Sequence, residues 1–553
     1  MNVDERHTFS LIDQPWLPAR TTEGTAVELS LVEVFERAHR LANLSSDLPT
    51  QYFALIRTLL AVLHGALEGP RNLKDWEQLW DAEQLPHETI AAYLERHRER
   101  FGLFHPQTPF FQVADLSTEK GQTSELSKLV ADVPNGRPFF TNRLDRRISL
   151  SFAEAARWLV HCHAFDPSGI KSGAIGDDRV KKGKGYPIGT GWSGRLGGIL
   201  PEGRTLRETL LLNLIPRDFI LTKRAHDSDL PVWEYEQLGA TVRPDPAVRG
   251  PVDLYTWQSR RIRLVPENGK VTRVLICNGD PVKPQNRHQI EPHTRWRRST
   301  AQEKRRSEPV VYMPREHDPE RAIWRGLESI LPGTAGTQRE EAAAGLTAGV
   351  LEWLSLLSDD ILDGDFPVQI RTIGMAYRNE NSVTDEIMDD ALSLRSALLR
   401  QDAIQLTGLA VGCVQAADEA ARALGSLALN LAQAAGKAPP KPGSPDPASL
   451  ADRTRAVELA YAELDAPFRG WLSGLGPDSD PVEEQVAWHR TAREVVRAPA
   501  RDLQQRAPAT AWTGRRVNGY LVTAAHAALW FDRKLREALP QAFPDPAGQG
   551  ASA

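Results

Sequence analysis

Cysteine is scarce in this chain: Cys162, Cys277 and Cys413 are all there are in 553 residues, far apart and outside any CxxC pair. A disulfide framework and a cysteine zinc knuckle are thereby excluded. Long apolar runs are missing too, since nothing approaches the roughly 18 residues of a membrane span. The polar start Met1–Arg6 lacks the n-region and h-region of a secretory signal, so the expected compartment is the cytoplasm, with no membrane partner. Positive charge is not in excess. A net charge of −5 argues against a protein that coats nucleic acid unaided and confines any polyanion contact to a local surface. Also absent are a GxxxxGK[ST] phosphate loop, an HExxH helix, a GxSxG elbow and any repeat of solenoid period. No catalytic residue, metal or cofactor is therefore expected.

What is present is ample core, at 41% hydrophobic residues, enough for two or three domains. Phe9–Leu17 reads as a strand ended by Pro15, Ser30–Glu33 as the capping box of a short helix, and Pro49–Thr50 as the opening of a longer helix through Leu67. Helical patterns recur at about 72–81 and 87–100, and residues 101–260 mix aromatic loops, short strands and glycine turns. Beyond about residue 380 alanine, leucine and charge dominate. Helical periodicity there covers 384–400, 403–435, 449–474, 481–507 and 516–539, broken by five prolines between 436 and 449 and by the Asp480-Pro481 start signal. The expected fold is α+β: a large mixed domain over 1–379, then an all-α four-helix bundle over 380–553 with a proline-rich loop near 436–449.

The densest glycine segment is 185–198, where Gly189, Gly191 and Gly194 satisfy GxGxxG directly after Lys181, Lys182 and Lys184. A dinucleotide fingerprint needs a hydrophobic strand before it and a helix on the third glycine. Neither is present, so a nucleic-acid backbone or groove is the better ligand. Basic residues cluster nearby. Ser259–Arg306 holds thirteen Lys/Arg against four acids, Lys171–Arg195 six against two, and Arg137–Arg147 four against one. Asn268-Gly269 predicts a hairpin turn between Arg260–Val265 and Val271–Ile276. Arg261 and Arg263 would then share a cationic face opposite Ile262 and Leu264. His161, Cys162, His163 and Asp166 are competent metal ligands, but they follow a helical pattern and read better as packed or capping residues; Cys413 reads as core.

Phe9–Leu17, the helix pair at 30–67, Phe101–Pro106 with Pro109–Gln112, Leu254–Leu264 and Tyr312–Asp318 together resemble the CasA family, the large subunits of the type I-E CRISPR surveillance complex Cascade. The resemblance spans nearly the whole chain. It implies a non-enzymatic subunit that reads the motif flanking the target in double-stranded DNA, helps open the duplex, and recruits a helicase-nuclease. Its partners would be the other Cascade subunits and the guide RNA, with sequence beyond the motif read by base pairing.

By the same resemblance Phe140, Thr141 and Asn142 form the motif-sensing loop, and Gly189, Thr190 and Gly191 approach the minor groove. Lys283 reaches into that groove, with Arg287 as the next choice for the role. Asn381, beside Ser382, takes the position where relatives can carry a wedge glutamine; a shorter amide there calls for help from Arg378 or the backbone. The zinc-binding cysteine cluster of some relatives is impossible here. Two other readings stay open: a nucleotide-binding enzyme using the glycine loop, and a purely architectural subunit of a ribonucleoprotein.

Overall fold

The computed structural model describes residues 9–133, 148–219, 228–243, 247–332, 345–440 and 447–543. It divides into two compact units. The first comprises 1–321, 338–361 and 367–391, and the second 322–337, 362–366 and 392–553.

At the centre of the first unit lies the helix Pro49–Ala66, started by proline at its first turn and buried on nearly every side. A helix apolar all round belongs in a core. Alongside it packs Phe152–Phe165, whose Ser151 and Glu154 form a reciprocal capping box. Thr50 Oγ1 and His161 Nε2 meet at 3.0 Å between the two helices. The Ser30–Glu33 box also forms and starts Leu31–Arg37.

The segment Phe9–Leu17, expected as a strand, is mostly turn. Gln14 N bonds Ser10 O and Ser10 Oγ bonds Asp13, so local bonds satisfy the backbone that a ladder would otherwise claim. The strand begins only at Leu17 and runs to Thr21, between Ala26–Leu29 and Leu41–Leu44.

The basic hairpin forms as expected. Arg260–Glu267 pairs with Lys270–Asn278, and Asn268 and Gly269 both take positive φ, 50° and 74°, as a tight hairpin turn demands. A second, longer hairpin joins Pro367–Arg378 to Val383–Arg395, with Gly198–Glu202 on its other edge. Residues 384–395 were expected to be helical and are a strand. Cross-strand bonds account for the difference. Arg371 makes two bonds to Asp389, at 2.7 and 2.9 Å, and Thr372 Oγ1 donates to Asp390 O.

The second unit is helical: Ile404–Ala434, Pro447–Gly474, Pro481–Gln505 and Ala524–Ala538 pack as a four-helix bundle. Alanines line the seam, and Gly425 lets two helices approach so closely that a Cβ there would lie 2.5 Å from Val457. Trp324, Phe468, Trp471 and Trp488 stack into one aromatic cluster, with Trp488 Nε1 donating to Cys413 O. The helix expected over 516–539 starts only at Ala524. Before it Arg515–Val517 and Tyr520–Val522 form a hairpin about Asn518-Gly519, at φ 48° and 87°. Among the described residues no helix is long and apolar enough to cross a membrane.

Candidate nucleic-acid interface

The helix Phe152–Phe165 ends in a corner, Ala164 to Ser168, on which two surface segments converge with a third close by in the chain. Arg260, fully buried at the start of the basic hairpin, is its clamp. Its Nε donates to the Asp166 carboxylate at 2.5 Å and its Nη1 to Ser259 O at 2.9 Å. Its Nη2 faces three carbonyls: Asp166 O at 3.2 Å, Pro167 O at 3.1 Å and Gly189 O at 2.8 Å. Lys171 Nζ reaches the same carboxylate at 2.5 Å. Burial pushes the Asp166 carboxyl up, but the Lys171 and Arg260 charges and hydrogen bonds outweigh it and hold the group below its ordinary value.

The glycine loop crosses this corner, and its glycines have internal reasons. A Cβ on Gly191 would stand 2.4 Å from the Ala164 carbonyl, on Gly194 2.3 Å from the Tyr377 hydroxyl, and on Gly197 2.4 Å from Arg315 O. Gly189 has φ 104°, and its Cβ would meet the Arg195 guanidinium. Gly191 N donates to Asp166 O and Gly194 N to Gly191 O, so these amides already have partners. A short 3-10 turn, Ser193–Arg195, follows where a nucleotide fingerprint would need a helix. Gly189 is left half-buried at the surface, with Thr190 and Gly191 buried below it. Trp192 fixes the loop from behind. Its Nε1 donates to Glu291, which also receives both ends of the buried Arg57 guanidinium at 2.8 Å.

Beside the loop, Lys181–Lys184 closes on itself through two backbone bonds, with Lys182 and Gly183 at φ 52° and 70°. Lys181, Lys182 and Lys184 are exposed, as is Tyr186. None of the three lysines has an ion pair among the described residues.

The other converging segment is the tip of the long hairpin, where Asn379, Glu380 and Asn381 take left-handed φ of 50°, 56° and 63° in succession. Asparagine tolerates that region and glutamate rarely does. The turn is held by Ser382 N to Arg378 O and Asn379 O, by Ser382 Oγ to Asn379 O, and by Ser168 N to Asn381 O at 2.7 Å. Below it Tyr377 donates its hydroxyl to Phe165 O at 2.7 Å. Asn381 is exposed and Ser382 half-buried. Arg378 is paired with Asp385.

The basic hairpin corrects the expected cationic face. Arg261 is buried, with Nη2 on Asp280 at 2.8 Å and other bonds to the Gly239, Gln258 and Thr241 carbonyls. Arg263 remains outside, so two of the thirteen cations, Arg260 and Arg261, brace the interior. Lys283 is exposed, and half-buried Arg287 donates to its carbonyl at 3.1 Å, supporting the backbone from within. Phe140, Thr141 and Asn142 lie outside the described residues.

His161 and His163 face opposite sides of their helix, one on Thr50 and the other on Phe111 O at 2.9 Å. Among the described residues no group of three or more His, Cys, Asp or Glu could hold a metal. The structure therefore brings Gly189 and Asn381 with Ser382 onto one corner, while the lysine turn is held on Ser172 and Gly173, next to the Lys171 that reaches Asp166. Arg260 and Tyr377, which hold that corner together, were missed in the sequence; the helix-ending Asp166-Pro167 pair was the one available signal.

The family model for CRISPR-associated protein Cse1 matches residues 10–498. The Cse1 crystal structure from Thermobifida fusca is 45% identical, with a TM-score of 0.88 over 97% of this chain and 99% of that one. CasA/Cse1 of Thermus thermophilus is 33% identical over 59% of this chain, and the match spans 61% of that relative's length. A chain of a CRISPR RNA-guided surveillance complex shares the fold at 19% identity, with a TM-score of 0.66 over 96% of this chain and 99% of that one. The chain therefore belongs to the Cse1 family of CRISPR-associated proteins.

Proposed function

We propose that this protein is the large subunit of an RNA-guided type I-E CRISPR surveillance complex in the cytoplasm. It reads the short motif flanking the target in double-stranded DNA, starts strand separation for the guide RNA, and recruits the helicase-nuclease. It acts as a recognition subunit rather than an enzyme. The observation that carries this reading is the meeting of exposed Asn381 and half-buried Gly189 at one corner, with the exposed lysine turn 181–184 preceding the glycine loop and held on Ser172 and Gly173. Lysines neutralise phosphate, backbone without side chains fits a narrow groove, and an amide on a rigid turn can enter a base step. Lys283 adds a groove contact, and the 140–142 loop is included on resemblance alone. Partners supply the rest of the grip, since a chain of net charge −5 attracts DNA only locally.

The test uses the assembled complex and fully paired DNA with either the flanking motif or a scrambled one. Asn381→Ala should slow strand separation about tenfold, about 1.4 kcal/mol out of the few kcal/mol that one unstacked step costs, and Lys283→Ala should weaken binding. Gly189→Asp, which sets a carboxylate against DNA, should weaken binding at every salt concentration, with its thermal midpoint checked alongside. Unchanged binding and unchanged motif preference in all three variants would overturn the reading.

A further inference from the structure

The corner does more than place two surface features side by side. The glycine loop is attached through Gly191 N to Asp166 O and through Gly189 O to the Arg260 guanidinium. The opening turn is attached to the next residues of the same corner, through Ser168 N to Asn381 O and Tyr377 Oη to Phe165 O. Between these two sets of bonds stands Arg260 Nη2, within 3.2 Å of the Asp166, Pro167 and Gly189 carbonyls together. It is fully buried, and its charge is matched by Asp166, which Lys171 also faces. Only a planar fork with several donors can grip a carboxylate and carbonyls from two segments at once; an ammonium has neither the reach nor the geometry.

We propose that Arg260 is a positioning residue that registers the glycine loop against the strand-opening turn, so that a correct motif docked at Gly189 sets Asn381 for insertion. This inference rests on the function proposed above. Without Arg260 each segment keeps bonds of its own, so both stay formed while their registration loosens. Recognition and opening then proceed independently. Coupling of this kind is a free energy shared between two sites through one rigid element.

The experiment compares two DNAs, one fully paired and one already unpaired at the base steps beside the motif, each with a correct or scrambled motif. For the native assembled complex, the motif's acceleration of guide pairing should be about tenfold larger on paired DNA than on pre-opened DNA, within the usual span of coupling between sites. With Arg260→Lys the two accelerations should agree within about twofold. A ratio of ratios is unaffected by the fraction of folded protein, so a merely structural defect leaves it at the native value. If Arg260→Lys fails to assemble, Tyr377→Phe, which removes one hydroxyl from the same corner, should reduce the ratio several-fold. A native ratio near one, or a ratio unchanged in the variant that assembles, overturns the coupling while the proposed function stands. If the native complex ignores the motif on both DNAs, the proposed function and this inference fall together.

Discussion

At Gly191 a Cβ would stand 2.4 Å from the Ala164 carbonyl, which is backbone and has nowhere to go. Gly191→Ala should therefore cost about 1–3 kcal/mol, read as a lowered thermal midpoint of the isolated chain, whether or not DNA is ever bound. An unchanged midpoint would show that the crossing can relax. The lysines behave differently. Lys182 and Lys283 are exposed and have no ion pair among the described residues, so Lys182→Ala or Lys283→Ala should leave stability within about 0.5 kcal/mol. Each should lower the slope of log affinity against log salt for the assembled complex by about one. Glycine density and basic runs were legible in the sequence, but their division of labour was not. Arginines 260 and 261 look like surface charge until Asp166 and Asp280, 94 and 19 residues away, are brought beside them.

Among the elements, several with a local cause were read correctly. The serine capping box at 30, the Asn268-Gly269 turn and the Asp480-Pro481 start each encode their geometry within a few residues. Residues 384–395 carry helix-like spacing, and pairing with Pro367–Arg378 across the 379–382 turn makes them extended. The hairpin at Arg515–Val522 was legible in Asn518-Gly519, and the surrounding alanine and leucine periodicity masked it. In the bundle, Trp488 is fully buried and stacks edge-on to Phe468 at 5.0 Å. Trp488→Ala should destabilise the second unit by about 3–5 kcal/mol, measured by chemical denaturation followed by circular dichroism. A loss below about 1 kcal/mol would contradict the packing described.

Over the whole molecule, protonation offers a broad check. Burial pulls His64, His161, His163 and His293 from 6.5 to about 3, so all four stay neutral when folded. An unfolded chain takes up these protons first. Stability that is complete above pH 6.5 is therefore lost as pH falls from 6.5 toward 3, by about 1.4 kcal/mol per pH unit for each histidine. Asp166 and Glu291, both held below their ordinary values, add their own loss only below about pH 4.5. Burial raises the Asp229 carboxyl to about 7, so this one group gains stability as pH falls through that value and offsets about one histidine; the unfolding midpoint should still drop between pH 7 and pH 5, and a flat profile there would contradict the burial of these rings. Net charge acts at the same scale: the isolated chain should bind duplex DNA poorly and gain affinity only in the assembled complex.

The most direct measurement of the central claim is photo-cross-linking from position 381. With Asn381 replaced by a photoreactive phenylalanine analogue, the assembled complex is irradiated on duplex carrying the flanking motif. The account predicts cross-links to the first base pairs beside the motif, lost when the motif is scrambled. Cross-links confined to protein, or to DNA far from the motif, would contradict it.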